Sequence, residues 1–269
     1  MNGRSETRSE NNWRALAPPF FVGALALAAW ELFVRLREIP EYLLPAPSRI
    51  ARALVEGWPT LFPSLLFTLA VTGAALAAAV ILGGGIAILF AQWRWIERSF
   101  FPFAVILQVT PIVAIAPLLI IWAKDVRVAL LICAWIVAFF PIVSNTAIGL
   151  RSVDHHLLEL FELYGATRWQ ILRRLQLPTA LPYFLAGLKI SGGLALIGAV
   201  VAEFVAGTGG TESGLAYRIV ESGYTLQIPR MFAALALLSA AGIAIFALLS
   251  ALSHLLLRRW HESASPRER

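Results

Sequence analysis

The chain has 269 residues, 59% of them hydrophobic and only 14% charged, whereas a soluble domain carries about a quarter charged residues. That deficit, gathered into long uncharged runs, excludes an ordinary soluble domain and points to an all-α bundle in lipid. One cysteine, Cys133, excludes an intrachain disulfide and a cysteine metal cluster, and the net charge of +6 raises nucleic acid as a partner until the bases are mapped along the chain.

Residues 1–16 read as a polar tail. Six stretches then have the roughly 17–25 apolar residues that cross a hydrocarbon core: 18–34, 63–92, 100–123, 128–150, 181–205 and 231–257. The first resembles a cleavable signal in its small residues. It is long, however, and Glu31, Arg35 and Arg37 follow without a cleavage site, so it reads as a retained anchor. After it, "YLLPAPSRIARAL" has Pro45 and Pro47 ahead of a short helix, with Ser48 as its candidate N-cap. The third stretch is interrupted by Pro102, Pro111 and Pro117 and carries Gln108 and Thr110. The fourth places Ser144, Asn145 and Thr146 after Pro141. Polar groups are costly in lipid, so these are candidates for a translocation path, with helix–helix hydrogen bonding as the alternative.

The fifth stretch holds Lys189, placed to snorkel, and Glu203 near its far end, placed at an interface or against a partner. Gly83–Gly85 and Gly192-Gly193 suit close helix packing better than a cofactor loop, and no cofactor is expected. A Gly-rich turn and a short amphipathic helix, about 213–222, connect the fifth and sixth stretches.

Six spans leave both termini on one side. The N-tail, 93–99, 151–178 and the C-tail hold thirteen bases, the opposite segments hold eight, and the acids divide eight to eight. The positive-inside rule makes the first group cytoplasmic. The basic balance is thereby explained without nucleic acid.

One cytoplasmic segment stands out, "LELFELYGATRWQILRRLQLP" at 158–178. Leu157, Leu158, Phe161 and Tyr164 have helical spacing, and Gly165 supplies a helix stop. Thr167 and Gln170 form a capping-box pattern that restarts a helix. Ile171, Leu172 and Leu175 make its apolar stripe among Arg168, Arg173 and Arg174, and Pro178 is expected to end it. Two short helices with a Gly elbow, tethered to a span at each end, suit either a connector lying on anionic lipid or a docking element that carries force.

The order Glu159-Leu160-Phe161-x3-Gly165-x9-Leu175-x-Leu177-Pro178 resembles the "EAA" loop, Glu-Ala-Ala-x3-Gly-x9-Ile-x-Leu-Pro, of permease subunits in binding-protein-dependent ABC importers. Leu160, Phe161 and Leu175 depart from it. "TPIVAIAPLLIIW", "FFPIVSNTAIGL" and "IPRMFAALALL" look like the nitrate/sulfonate/taurine branch, and "AEFVAGTGGTESGLAYRI" is similar to pyrimidine, thiamine-precursor or riboflavin subgroups. The resemblance implies a type I (MetI-like) permease fold over 17–260 in the bacterial inner (plasma) membrane, with cytoplasmic tails at 1–16 and 261–269. It implies coupling of loop 151–178 to separate ABC ATPase subunits through Glu159, Gly165, Ala166, Thr167, Arg168, Leu177 and Pro178. An extracytoplasmic solute-binding protein, a second permease copy and membrane lipid are the further partners.

Two other classes compete. The chain has no P-loop, and its only lysines, Lys124 and Lys189, do not follow glycine. A membrane enzyme would need more than Asp154, His155, His156, His254 and His261, which lack metal-site spacing. An ion-coupled secondary transporter would be expected to carry acids in the central portions of the spans, where this chain has none.

Overall fold

The computed structural model describes residues 7–207 and 213–258. Residues 1–6, 208–212 and 259–269 lie outside that range, and with them Arg4, Arg259, Arg267, Arg269, His261, the C-terminal tail and most of the Gly-rich turn. Among the described residues all regular structure is helical: α1 Thr7–Leu36, α2 Pro47–Gln92, α3 Arg94–Val109, α4 Ile112–Ala123, α5 Val126–Arg151, α6 His155–Leu163, α7 Arg168–Ala206, α8 Leu215–Tyr224 and α9 Ile228–Leu257. Among these residues α2, α5, α7 and α9 are each long and apolar enough to cross a membrane, and α3 with α4 makes a fifth candidate as a bent pair. The first expected span lies within α1.

Two boundaries differ from expectation, after Pro47 and at Pro178, each for a local reason. The third span is broken at one of its three prolines, Pro111, where α3 and α4 meet at 100°. Thr110 leaves the helical region (φ −69°, ψ 124°) because the ring of Pro111 drives the preceding residue toward extended backbone. Pro102 and Pro117 lie inside the two helices and break neither.

The short helix expected after Pro47 is the first part of α2, which runs on through Pro59 and Pro63 and a π turn at Ala79–Gly83. Its N-cap is Ala46, with Pro47 in the first turn where no N–H is needed. Ser48 is therefore not the cap. Its hydroxyl and its N–H both donate to the Glu31 carboxylate, at 2.8 and 3.0 Å.

Pro178 does not end a helix either. The helix that begins at Arg168 passes through a π turn, Leu172–Gln176, and continues to Ala206. A proline inside a helix removes a donor and crowds the carbonyl one turn back. The wider π turn relieves that crowding, and Thr179 Oγ1 donates to the Leu175 carbonyl at 2.7 Å.

α5 and α7 form the centre of the bundle and are about half buried, whereas α9 is mostly exposed. Their close approach rests on small residues. A Cβ at Gly187 would stand 2.7 Å from the Pro141 carbonyl oxygen, and one at Gly198 2.9 Å from the Ala134 Cα. Ser191 Oγ donates to the Ala138 carbonyl at 2.6 Å across the same seam. Leu130, Cys133 and Ala134 pack there with Ala199, Ala202 and, from α2, Val71 and Ala75. The outside of the bundle is apolar, with Ile81, Ile121, Trp122, Ile243, Phe246 and Leu248 exposed. An apolar exterior over an intrahelically bonded backbone is what a bilayer requires.

Candidate functional site at the helical elbow

Asp154 opens α6, its side chain accepting from the His156 N–H at 2.9 Å. The helix closes at Gly165, whose φ of +69° lies in the left-handed region. The Ala166 N–H donates to the Phe161 carbonyl at 3.0 Å and the Gly165 N–H to that of Glu162 at 2.9 Å, the paired bonds of a Schellman motif. Two residues later the Thr167 N–H donates to Gln170 Oε1 at 2.7 Å and the Gln170 N–H to Thr167 Oγ1 at 3.3 Å. The capping box expected from the sequence is formed. The elbow is thus a defined turn, with the ends of both helices satisfied.

The start of α7 is fixed to the bundle. Leu172 and Leu175 are buried, Leu172 against Ala87, Ala147, Leu150 and Ala180. Gln92 Nε2 donates to Gln176 Oε1 at 3.2 Å, and Arg151 pairs with Glu97 beside it. Burial of that stripe leaves Arg168, Arg173 and Arg174 exposed. By contrast α6 buries none of its side chains, so the chain itself does not cover its apolar residues. Leu163 and Tyr164 are more than 80% exposed and Trp169 is 66% exposed. Leu160, Phe161, Tyr164, Ala166, Gln170 and Arg174 line a hollow of about 310 Å³ inside the elbow. Clustered exposed apolar residues rimmed by charge mark an interaction surface. Leu163 and Trp169 escaped the sequence reading; their signal is that they adjoin the elbow yet belong to neither apolar stripe.

Gly165, Ala166, Thr167 and Arg168 form this turn, and Glu159 lies on the helix that leads into it. Glu159 is exposed, 3.4 Å from His155 Nε2. Leu177 and Pro178 sit further along α7, past the π turn.

The polar residues proposed for a path are dispersed. Gln108 is exposed and Thr110 Oγ1 donates to the Ile106 carbonyl at 2.6 Å. On α5, Ser144 and Asn145 are half-buried, and Asn145 Nδ2 donates to the Pro141 carbonyl at 2.9 Å. Thr146 is buried without a hydrogen-bond partner for its hydroxyl. Among the described residues no hydrogen bond joins the two groups.

Glu203, expected at an interface or against a partner, is buried within the chain at 3% exposure. Its carboxylate accepts from Thr68 Oγ1 at 2.8 Å and from the Ala216 N–H at 3.1 Å, while Thr68 Oγ1 accepts from the Leu215 N–H at 3.0 Å. The cluster joins α2, α7 and the start of α8, at the end of α7 opposite the elbow.

The chain belongs to the family of binding-protein-dependent transport system inner membrane components, matched over residues 79–262. It is 35% identical over 256 residues to the riboflavin transport system permease protein of Chloroflexus aurantiacus, covering 93% of this chain and 92% of that one. It is 34% identical over 249 residues to the formylaminopyrimidine transport permease protein of Halalkalibacterium halodurans, covering 92% and 97%. The taurine transport system permease protein of Escherichia coli is 28% identical over 254 residues, covering 91% and 88%.

The fold is shared with a crystallised amino acid ABC transporter (TM-score 0.61, 19% identity, 76% of this chain and 96% of that one) and with the MetNI methionine ABC transporter (0.60, 19%, 75% and 96%). The protein is therefore the permease subunit of an ABC importer, not an enzyme, and ATP hydrolysis is carried by a separate subunit. Family and apolar helices agree on a multi-pass protein of the inner membrane that works with an ATPase and a solute-binding protein.

Proposed function

We propose that the elbow is the contact through which ATPase subunits drive this permease. The carrying observation is the left-handed Gly165 between a Schellman-terminated helix and a capping box, presenting apolar residues that the chain leaves open. Glu159, Gly165, Ala166, Thr167, Arg168, Leu177 and Pro178 are the coupling positions, Leu163, Tyr164 and Trp169 supply apolar contact, and the arginines speed encounter with an acidic rim. In this reading loop 151–178 is cytoplasmic, as are tails 1–16 and 261–269, and six spans cross the membrane within 17–260. They are α1, α2, the bent pair α3–α4, α5, α7 and α9. Such a topology follows the distribution of bases. The functional unit is a homodimer in membrane lipid, with the solute-binding protein on the face that carries α8. Gln108, Thr110, Ser144 and Asn145 are the candidate path residues, since polar groups in a span otherwise face lipid at a cost.

The solute is a heteroaromatic compound of the riboflavin or pyrimidine class, a reading supported by the two relatives with the higher identities quoted above. Solute binding by the cognate binding protein is the measurement that decides it.

Gly165→Pro tests the coupling reading. Proline cannot adopt φ +69° and has no N–H to give the Glu162 carbonyl. The variant is expected to insert in the membrane but to lose both copurifying ATPase and uptake. Normal uptake would refute the assignment.

A further inference from the structure

α7 is one helix from the elbow to Ala206, 39 residues, or about 58 Å at 1.5 Å per residue. In its last turn Glu203 reaches a different helix, where its carboxylate accepts the Ala216 N–H in the first turn of α8 and the hydroxyl of Thr68. A carboxylate at a helix N-terminus is a favourable, directional contact. A buried carboxylate is also expensive, and an apolar side chain would fill the same space at less cost.

The backbone is shaped to the group. Gly214 has φ −80° and ψ −179°, a conformation open to any residue, yet a Cβ there would overlap the Glu203 carboxylate. The glycine is required by closeness to Glu203 and not by backbone strain. The remaining contacts of α8 tie it to α2 and α9, through Leu215 against Leu61, Ala233 and Ala234 and through Arg218, whose Nε donates to Ser64 Oγ at 3.0 Å; the Glu203 carboxylate is what reaches it from α7.

We propose that Glu203 is a positioning residue for transport: it makes α8 travel with α7, so that displacement of the elbow end by the ATPase becomes displacement of α8 at the opposite mouth. This rests on the coupling reading given above. The helix transmits motion along its length, and the carboxylate passes it to the element on which the binding protein is proposed to act.

The test uses the permease–ATPase complex in liposomes with its binding protein, comparing wild type, Glu203→Gln and Gly214→Ala. Both variants are expected to keep the ATPase bound. Glu203→Gln melts near the wild-type temperature, while Gly214→Ala, whose Cβ must displace the carboxylate, melts lower, so the melting criterion applies to Glu203→Gln. Uptake falls by about tenfold or more, the scale of one lost charge-assisted hydrogen bond, and stimulation of ATP hydrolysis by loaded binding protein is lost. In Gly214→Ala combined with Glu203→Gln the losses are not additive, because both changes act on one contact. Uptake and stimulation within twofold of wild type in Glu203→Gln overturn the proposal. So does loss of uptake accompanied by loss of ATPase binding or by a large drop in melting temperature, which would mark Glu203 as general scaffolding. Gly165→Pro is run alongside. If it still binds the ATPase, the coupling reading has failed; if it releases the ATPase while Glu203→Gln transports normally, the positioning role alone has failed.

Discussion

Replacing Gly165 by alanine isolates the backbone geometry of the elbow. A Cβ at this position meets no atom within 4 Å, so the substitution adds no clash with neighbouring groups. The amides of residues 165 and 166 keep their acceptors, the carbonyls of Glu162 and Phe161. What remains is the cost of holding an L-residue at φ +69°, roughly 1–2 kcal/mol. If docking requires this left-handed turn, ATPase affinity falls by about 5- to 30-fold. Gly165→Asn is expected to recover most of that loss, since asparagine tolerates the left-handed region. Titrating fluorescently labelled ATPase onto the permease in lipid nanodiscs measures all three affinities. Alanine binding as tightly as glycine, or asparagine as weakly as alanine, would refute the argument that the turn itself is recognised.

Gly187→Val drives a side chain toward the Pro141 carbonyl, where even a Cβ would stand at 2.7 Å. It is expected to destabilise the α5–α7 seam by about 1–3 kcal/mol, seen as a lower melting temperature in detergent with the elbow unchanged. For the solute, the cognate binding protein is expected to be stabilised against heat by riboflavin or a formylaminopyrimidine and not by taurine. The opposite ranking would remove the proposed solute class.

The sequence disclosed most where the determining contacts are local. The capping box spans Thr167 to Gln170 and the helix stop needs only Gly165, and both formed as read. All six long apolar runs lie in helices or in the bent pair, because a bilayer leaves few alternatives to a helix. What misled was proline. Of the three prolines read as breaking the third span, Pro111 did and Pro102 and Pro117 did not, and Pro178 did not end its helix. At Pro178 the outcome depends on a π turn whose Leu172 and Leu175 are buried, which a residue-by-residue reading does not contain. Glu203 was hidden for a different reason. Its partner Thr68 is 135 residues away, and the other donor is a backbone amide, which leaves no trace in residue identity.

The π turn at Leu172–Gln176 also has an angular consequence. Each residue of an α-helix advances the side chains by about 100°, and a π turn in effect accommodates one extra residue in an otherwise continuous helix. The two ends of α7 are therefore out of phase with each other, like two cogs keyed at different angles on one shaft. The direction in which the arginine-bearing end points is set independently of the stripe of Gly187, Ser191 and Gly198 that meshes with α5. A single insertion or deletion within those five residues would turn the elbow end and force Leu172 and Leu175 to re-seat against the bundle, while the register of Gly187, Ser191 and Gly198 against α5 stays as it is.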